Sequence, residues 1–359
     1  MIACILAPLL LCVTTKPQRK PIVIVGAGPA ALLFAHRTLQ HDPEARVQLF
    51  ERSSRAELGL DSGQHASRSY GFALGARGQA QLEGAGLLDP VAARGKRVKS
   101  IIKNNPAKIA VSRNAMCLSM LEALEERYKS RVQCHHGLAL EHVDLAARTL
   151  TLRSTGGVND RHSVDGWELL VGADGVHSQV RAALARQSRG FRAKVHRSKR
   201  AWQALHLPAT AGLPDDRNTY IDAGSLRNGA VVGFAVPQVT GDFAAVLWWP
   251  AGHAGARGPW GVRGDAAALR GELRAALPAL REDPPEEELA RFVAARPQHE
   301  HHVWCSRYHD THADVQHVTN RTIFGGAESS PHCHVAVTSP RDRSWRLARL
   351  SLDPWSRVA

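Results

Sequence analysis

The sequence predicts an α/β protein: a parallel sheet built outward from one β-α-β unit, with an antiparallel β layer inserted later in the chain. Three observations predict it. A β-branched run ends on a glycine turn that opens a helix, a second buried-looking strand with its own glycine turn follows far downstream, and a period-two texture fills the stretch between about residues 202 and 250.

The chain has 359 residues, more than one average domain, so one large or two interleaved domains around a sizeable core are expected. Apolar residues make up 44% and charged residues 22%, ordinary globular usage that excludes a disordered tail protein and a coiled coil. No internal repeat is present. The net charge of +13 is compatible with anionic partners. Its basic residues are dispersed, however, and positions such as Arg37, Arg153, Arg227 and Arg291 form no block resembling a nucleic-acid arm, so no nucleic-acid partner is expected.

Pro21 to Val25 reads as the first strand, Ala30 to Gln40 as a helix and Arg46 to Phe50 as the second strand. An irregular basic stretch follows. Leu118, Leu121, Leu124 and Tyr128 then mark one face of a helix, and Val132 to Leu140 and Thr149 to Arg153 read as further strands. From Trp202 to Pro250, Asn228-Gly229 and Gly241-Asp242 punctuate the runs Val231 to Val236 and Phe243 to Trp249, the pattern of an antiparallel meander. Leu269, Leu273, Ala276 and Leu277 form a helical stripe, Pro284-Pro285 breaks it, and Leu289, Phe292 and Val293 begin another.

The first turn, Gly26-Ala27-Gly28-Pro29-Ala30-Ala31, has the form G-x-G-x-x-A. Gly26 permits the tight turn, and Gly28 lets backbone N–H groups approach a pyrophosphate at the helix N-terminus. Pro29 and Ala30 open the helix, and Ala31 is small enough for it to pack on the strand. Glu51, at the end of the second strand with Arg52 beside it, is placed to accept from ribose hydroxyls. An acid there favours FAD or NAD(H) over a 2′-phosphorylated nucleotide. This turn alone leaves FAD and NAD undistinguished.

The second motif, Leu169 to Arg181, reads as strand, turn and helix start. Asp174 offers an acceptor, Gly175 a turn conformation, and Ser178 and Arg181 flank the helix N-terminus. A capped helix after a strand would explain any one of these residues. Together, the GADG-x-x-S-x-V-R string and the earlier glycine turn resemble the flavoprotein aromatic hydroxylases, single-component FAD monooxygenases of the p-hydroxybenzoate hydroxylase fold. Four stretches are most similar to the kynurenine 3-monooxygenase subfamily: Arg68 to Gly78, Ser112-Arg113, Ala204 to Pro208, and Cys305 to His309. The resemblance covers about residues 20 to 310.

It implies a Rossmann-like FAD-binding domain over residues 20–185, an interleaved antiparallel substrate domain over 186–299, and a divergent remnant of the FAD domain over 300–359. It also implies FAD held by Gly26, Gly28, Glu51 and Arg113, the last on the pyrophosphate side, with Asp174 contributing to FAD and NAD(P)H handling. In such enzymes NAD(P)H reduces the flavin, and O2 then supplies one oxygen atom to a small aromatic substrate. The flavin carries the chemistry, so no catalytic triad is required. Trp248-Trp249, with Phe234 and Phe243, are candidates for an aromatic pocket, although adjacent strand residues point to opposite faces.

Two departures from the family pattern stand out. Ile101 occupies the position where the kynurenine enzymes place a carboxylate-binding arginine, leaving Lys99 or Lys103 as substitute cations. Gly326, in Ile323 to Pro331, occupies the position of the aspartate that binds the ribityl chain. The resemblance stops at Thr311, as after a frame change, a retained intron or a truncated gene model, or in a degenerate paralogue. Either origin predicts an incomplete sheet and a flavin site open to water. A non-catalytic flavin-fold protein is therefore the second reading. A nicotinamide-only dehydrogenase is a third, disfavoured by the GADG string.

Six cysteines without a CxxC pair point to reduced thiols in an intracellular setting and leave the compartment open. Met1 to Val13 is apolar but too short to span a bilayer, and reads as a poor signal sequence, an organelle-targeting fragment or a mis-called start; membrane association is not expected. Histidines crowd the segment from His299 to His334 near Cys305 and Cys333, but their spacing fits no structural zinc pattern, so no metal site is assigned.

Overall fold

The computed structural model describes residues 19–59, 70–99, 108–157, 160–188, 191–223, 231–250, 265–295, 298–306, 309–310, 313–319 and 334–339. The chain begins with the expected unit, β1 (Ile22–Val25), α1 (Pro29–His41) and β2 (Val47–Glu51). The stretch read as irregular is instead structured. It holds β3 (Gly71–Leu74), α2 (Ala76–Gly84), α3 (Leu88–Ala93), β4 (Lys96–Val98) and β5 (Lys108–Ser112), whose strands form a three-stranded antiparallel sheet in the order β3-β5-β4. Helix α4 (Arg113–Arg127) follows directly, its N-terminus capped by the Ser112 hydroxyl, which accepts from the Ala115 N–H at 3.0 Å.

The run expected as one strand from Val132 to Leu140 is divided at Gly137, whose φ of 72° turns the chain. The two pieces, β6 (Val132–His136) and β7 (Leu138–Asp144), enter different sheets. With β8 (Thr149–Ser154) and β9 (Arg161–Asp165), β7 forms a second three-stranded sheet. Next come β10 (Leu169–Gly172), α5 (Gln179–Gln187), β11 (Arg192–Leu207), β12 (Thr219–Ala223), β13 (Val231–Pro237) and β14 (Phe243–Pro250). Helices α6 (Ala266–Ala276) and α7 (Glu286–Ala294) realise the two predicted stripes. The last described elements are β15 (Gln298–Ser306), β16 (His309–Asp310), β17 (Ala313–Thr319) and β18 (His334–Ser339).

The main sheet runs β16-β17-β18-β10-β1-β2-β6. Strands β10, β1, β2 and β6 are parallel, and β18 joins β10 antiparallel. The gap expected at this sheet's far edge is therefore filled by strands from beyond Thr311. The second sheet runs β12-β13-β14-β11-β15. Its last strand spans the boundary placed at residue 299, since β15 pairs with β11 from Arg192 to Trp202.

Apolar side chains of α1 and α4, including Leu32, Leu39, Met120 and Leu124, cover one face of the parallel strands. The other face packs on β7, β8 and α5 through Val23, Val25, Leu150 and Leu184. In the second sheet, Leu205, Ala235, Phe243, Leu247 and Trp249 meet Leu269, Leu273, Leu289 and Phe292 of α6 and α7. Each large side chain buried there contributes about 1.5–3 kcal/mol. The Gln203 amide ties the same face to α7 by donating to the Phe292 carbonyl.

Between α1 and α4, His36 is fully buried, with Nε2 at 2.8 Å from the Met120 carbonyl and its ring edge-on to Tyr128. Burial holds the imidazole below its usual range, opposed by the bond to Met120 and reinforced by the Arg127 charge. A lowered folded value means that the unfolded chain takes up the proton first. The stability is complete above the ordinary value of 6.5 and is lost as pH falls below it. Urea unfolding at about pH 7.5 and about pH 5.5 should show wild-type protein losing more stability than His36→Leu; equal losses would remove His36 from this account.

Candidate dinucleotide site

The carboxyl ends of β10, β1 and β2 lie side by side, with Val25 paired to Gly172 on one side and Phe50 on the other. In a parallel sheet this edge is where a ligand crosses. Gly26 leaves the end of β1 with φ of 99° and donates to the Phe50 carbonyl at 2.7 Å. A Cβ at Gly26 would lie 2.4 Å from the Ala173 carbonyl oxygen, so backbone geometry and space both exclude a side chain. The Ala173 N–H in turn donates to the Val25 carbonyl at 2.8 Å. The two glycine turns predicted separately are thus packed against each other.

Gly28 is the N-cap of α1, and no side chain caps this helix. Pro29 at its first position has no N–H to leave unsatisfied, Ala30 is half-buried, and Ala31 is fully buried against the sheet. The space beside Gly28 is open except for one group: a Cβ there would lie 3.4 Å from Arg113 Nη2. The first turn of α1 carries no acid. A positive helix end and a guanidinium therefore meet across an open cradle, an arrangement suited to a phosphate-sized anion.

Glu51 is half-buried beside this cradle. Its Oε2 accepts from the Ala27 N–H at 2.8 Å and its Oε1 from the Ser53 N–H at 2.9 Å, so the carboxylate braces the glycine turn. A carboxylate has about four acceptor positions, which leaves room for ribose hydroxyls as well. Arg52 is exposed at the end of β2, and its carbonyl accepts from the Thr155 hydroxyl at 3.0 Å.

Asp174 has a use that the motif alone did not distinguish from ligand binding. Its Oδ2 accepts from the Gln179 and Val180 N–H groups at 2.6 and 3.3 Å, so the carboxylate supports the N-terminus of α5 together with the Ser178 cap. Its Oδ1 is shielded and has no hydrogen-bond partner. Burial pushes this carboxyl above the usual range, while the Ser178, Gln179 and Val180 donors pull it down. Gly175 follows with φ of 82°. Sequence reasoning placed Arg181 only near the helix N-terminus; its guanidinium folds back on the turn, donating to the Gly175 and Val176 carbonyls.

The aromatic candidates separate as alternation requires. Phe234 and Trp248 meet edge to face at 6.1 Å on the sheet face turned toward the β3-β5-β4 sheet, where Val236 contacts Ala110. Phe243 and Trp249 lie on the opposite face under α6 and α7. Trp202 is the β11 partner of Trp248, and its ring meets Tyr70 edge to face at 5.5 Å and 82°. Lys99 is 78% exposed and ion-paired to Asp216 at 2.8 Å, which makes it a surface tether rather than a pocket cation. Ile101, Lys103, Gly326 and the apolar N-terminal run lie outside the described residues. Among the described residues, no cluster of His, Cys, Asp or Glu could hold a metal, and no helix is long and apolar enough to cross a membrane.

No family model matches the chain. Among solved structures, the tetrameric form of 2-methyl-3-hydroxypyridine-5-carboxylic acid oxygenase is similar, with a TM-score of 0.57 and 20% identity over 80% of this chain and 72% of that one. Tetracycline destructase Tet(51) gives a TM-score of 0.50 and 13% identity over 82% and 73% of the two chains. These likenesses show the fold. It is the α/β arrangement of the p-hydroxybenzoate hydroxylase type, a parallel sheet with antiparallel sheets packed beside it.

The contact between turns generates a prediction. Gly26→Ala should cost at least about 3 kcal/mol, combining an unfavourable φ with a backbone collision. Urea denaturation of the purified variant measures it, and an unchanged midpoint would refute the packing argument.

Proposed function

We propose that this chain is an FAD-binding monooxygenase that uses NAD(P)H and O2 to hydroxylate a small aromatic substrate. The observation that carries the reading is the open, uncapped N-terminus of α1 at Gly28, faced by the Arg113 guanidinium and flanked by Glu51. The resemblance of the two glycine motifs to the flavoprotein hydroxylases, and a fold shared with an oxygenase of a hydroxypyridine carboxylic acid, support it.

Bound FAD would supply the redox and oxygen chemistry. The Ala30 and Ala31 end of α1 and Arg113 would hold the pyrophosphate, with Gly26, Gly28 and Pro29 shaping its cradle. Glu51, with Arg52 at the rim, would hold the adenosine ribose. Asp174 and Gly175 lie at the adjoining strand end and would contribute to FAD and NAD(P)H handling. The face bearing Phe234, Trp248 and Trp202 would receive the aromatic ring and exclude water from it. Kynurenine is the first substrate to try, on the strength of the four sequence stretches quoted above. Gly326 in place of the family's aspartate favours a second reading, a flavin-fold protein that does not turn over.

Gel filtration of the chain with added FAD, followed by its visible spectrum, tests the proposal. Retained flavin is the expected result, and a folded but colourless protein would overturn it. Retained flavin without NADH or NADPH oxidation across a panel of aromatic acids would favour the second reading. Gly28→Val should fold, since only the Arg113 side chain must give way, yet weaken FAD binding about a hundredfold or more by filling the pyrophosphate cradle. Flavin fluorescence titration measures it; undiminished affinity would displace the cofactor from this turn.

A further inference from the structure

Arg113 must be held over the glycine turn to serve an anion, and a Cβ at Gly28 would lie 3.4 Å from its Nη2. The Tyr70 carbonyl accepts from the Arg113 N–H at 3.0 Å, so the chain just before β3 is fastened to the first residue of α4. Arg113 and Cys117 are four residues apart and share one face of that helix. The Tyr70 phenol lies within electrostatic reach of both, and burial pushes it above its usual range, so it stays neutral. Cys117, buried, is within the same reach of Arg113 and Glu51. The Tyr70 ring also meets Trp202, edge to face at 5.5 Å, and lies tilted against Phe72 at 6.1 Å.

We propose that Tyr70 is a positioning residue, a wedge between Trp202 of the second sheet and the α4 face bearing Arg113, which holds that guanidinium at the Gly28 cradle and so sets cofactor affinity. The inference rests on the FAD reading above and adds to it. The affinity of the nucleotide site is controlled from the aromatic face of a different sheet, through a side chain that need not touch the nucleotide. The ring does this work through its shape, because Trp202 meets it edge to face and Phe72 lies tilted against it. A residue with the same ring should therefore replace it.

The test is FAD titration, followed by flavin fluorescence, of full-length wild-type protein, Tyr70→Leu, Tyr70→Phe, Arg113→Met and the Tyr70→Leu/Arg113→Met double variant. Far-UV circular dichroism and thermal midpoints of the apo proteins establish that each is folded. Arg113→Met should weaken binding about tenfold or more, the effect of removing a charge-assisted bond to phosphate. Tyr70→Leu should weaken it by a similar factor, the double variant should be no weaker than Arg113→Met alone, and Tyr70→Phe should stay within about twofold of wild type. Wild-type protein that binds no FAD overturns the cofactor reading and this proposal together. If wild type binds FAD, the proposal alone is overturned by undiminished affinity in Tyr70→Leu, by losses that multiply in the double variant, or by a Tyr70→Phe loss as large as that of Tyr70→Leu. Should Tyr70→Leu not fold, Trp202→Leu takes its place in the cycle, and the same three outcomes decide.

Discussion

The contact on which the rest depends is between two stretches of backbone. Gly26 passes so close to the Ala173 carbonyl that no Cβ fits between them, and hydrogen bonds from Gly26 to Phe50 and from Ala173 to Val25 close the seam. Three strand ends separated widely in sequence are thereby brought to one line. Everything placed at that edge inherits its position from this seam: the start of α1, the Glu51 carboxylate and the Asp174 turn. Gly172 extends the same logic, since a Cβ there would collide with Val180 and push α5 away from β10.

The electrostatics of the edge follow from what is left uncapped. Three of the described helices carry polar caps, Ser112 on α4, Ser178 on α5 and Asp265 on α6, each accepting from an N–H of the first turn, while α1, α2, α3 and α7 have none. Helix α1 has Gly28 there, with no side chain to accept. Its first-turn donors and the end of its dipole remain available to an external anion. The Glu51 carboxylate lies at the side of the turn, accepting from the Ala27 and Ser53 N–H groups. The missing cap alone does not distinguish α1, since α2 also begins at an uncapped glycine, Gly75; the Arg113 guanidinium beside Gly28 does.

How much of this was legible in the sequence depends on how local each feature is. The β1 turn could be read directly because Gly26, Gly28, Ala31 and Glu51 act within one β-α-β unit. The β3-β5-β4 sheet could not, since its strands are only 4, 5 and 3 residues long and β3 reaches β5 across α2 and α3. The break at Gly137 was hidden because both flanking pieces have strand composition, and only the positive φ divides them. Alternation separated Trp248 from Trp249, but could not say which face held the helices, since β14 is buried on both sides. Asp174 shows another limit: an acceptor after a strand suits a helix cap and a cofactor hydroxyl equally well, and only the fold shows its Oδ2 accepting from the Gln179 and Val180 N–H groups.

A second close approach completes the site. A Cβ at Gly71 would lie 2.8 Å from the Ala244 Cβ and from Gln238 Nε2, so the β3 backbone rests directly on the second sheet. Gly71 pairs with Ser112, the residue that caps α4 and immediately precedes Arg113. The depth at which β3 docks on β14 therefore decides where α4 begins, and with it where the Arg113 guanidinium stands relative to Gly28. One wall of the cradle is set by the parallel sheet through Gly26 and the other by the antiparallel sheet through Gly71. The proposed anion site thus forms only when the two sheets are assembled together, which explains why a glycine motif confined to 26 residues, Gly26 to Glu51, depends on the far longer chain around it for its geometry.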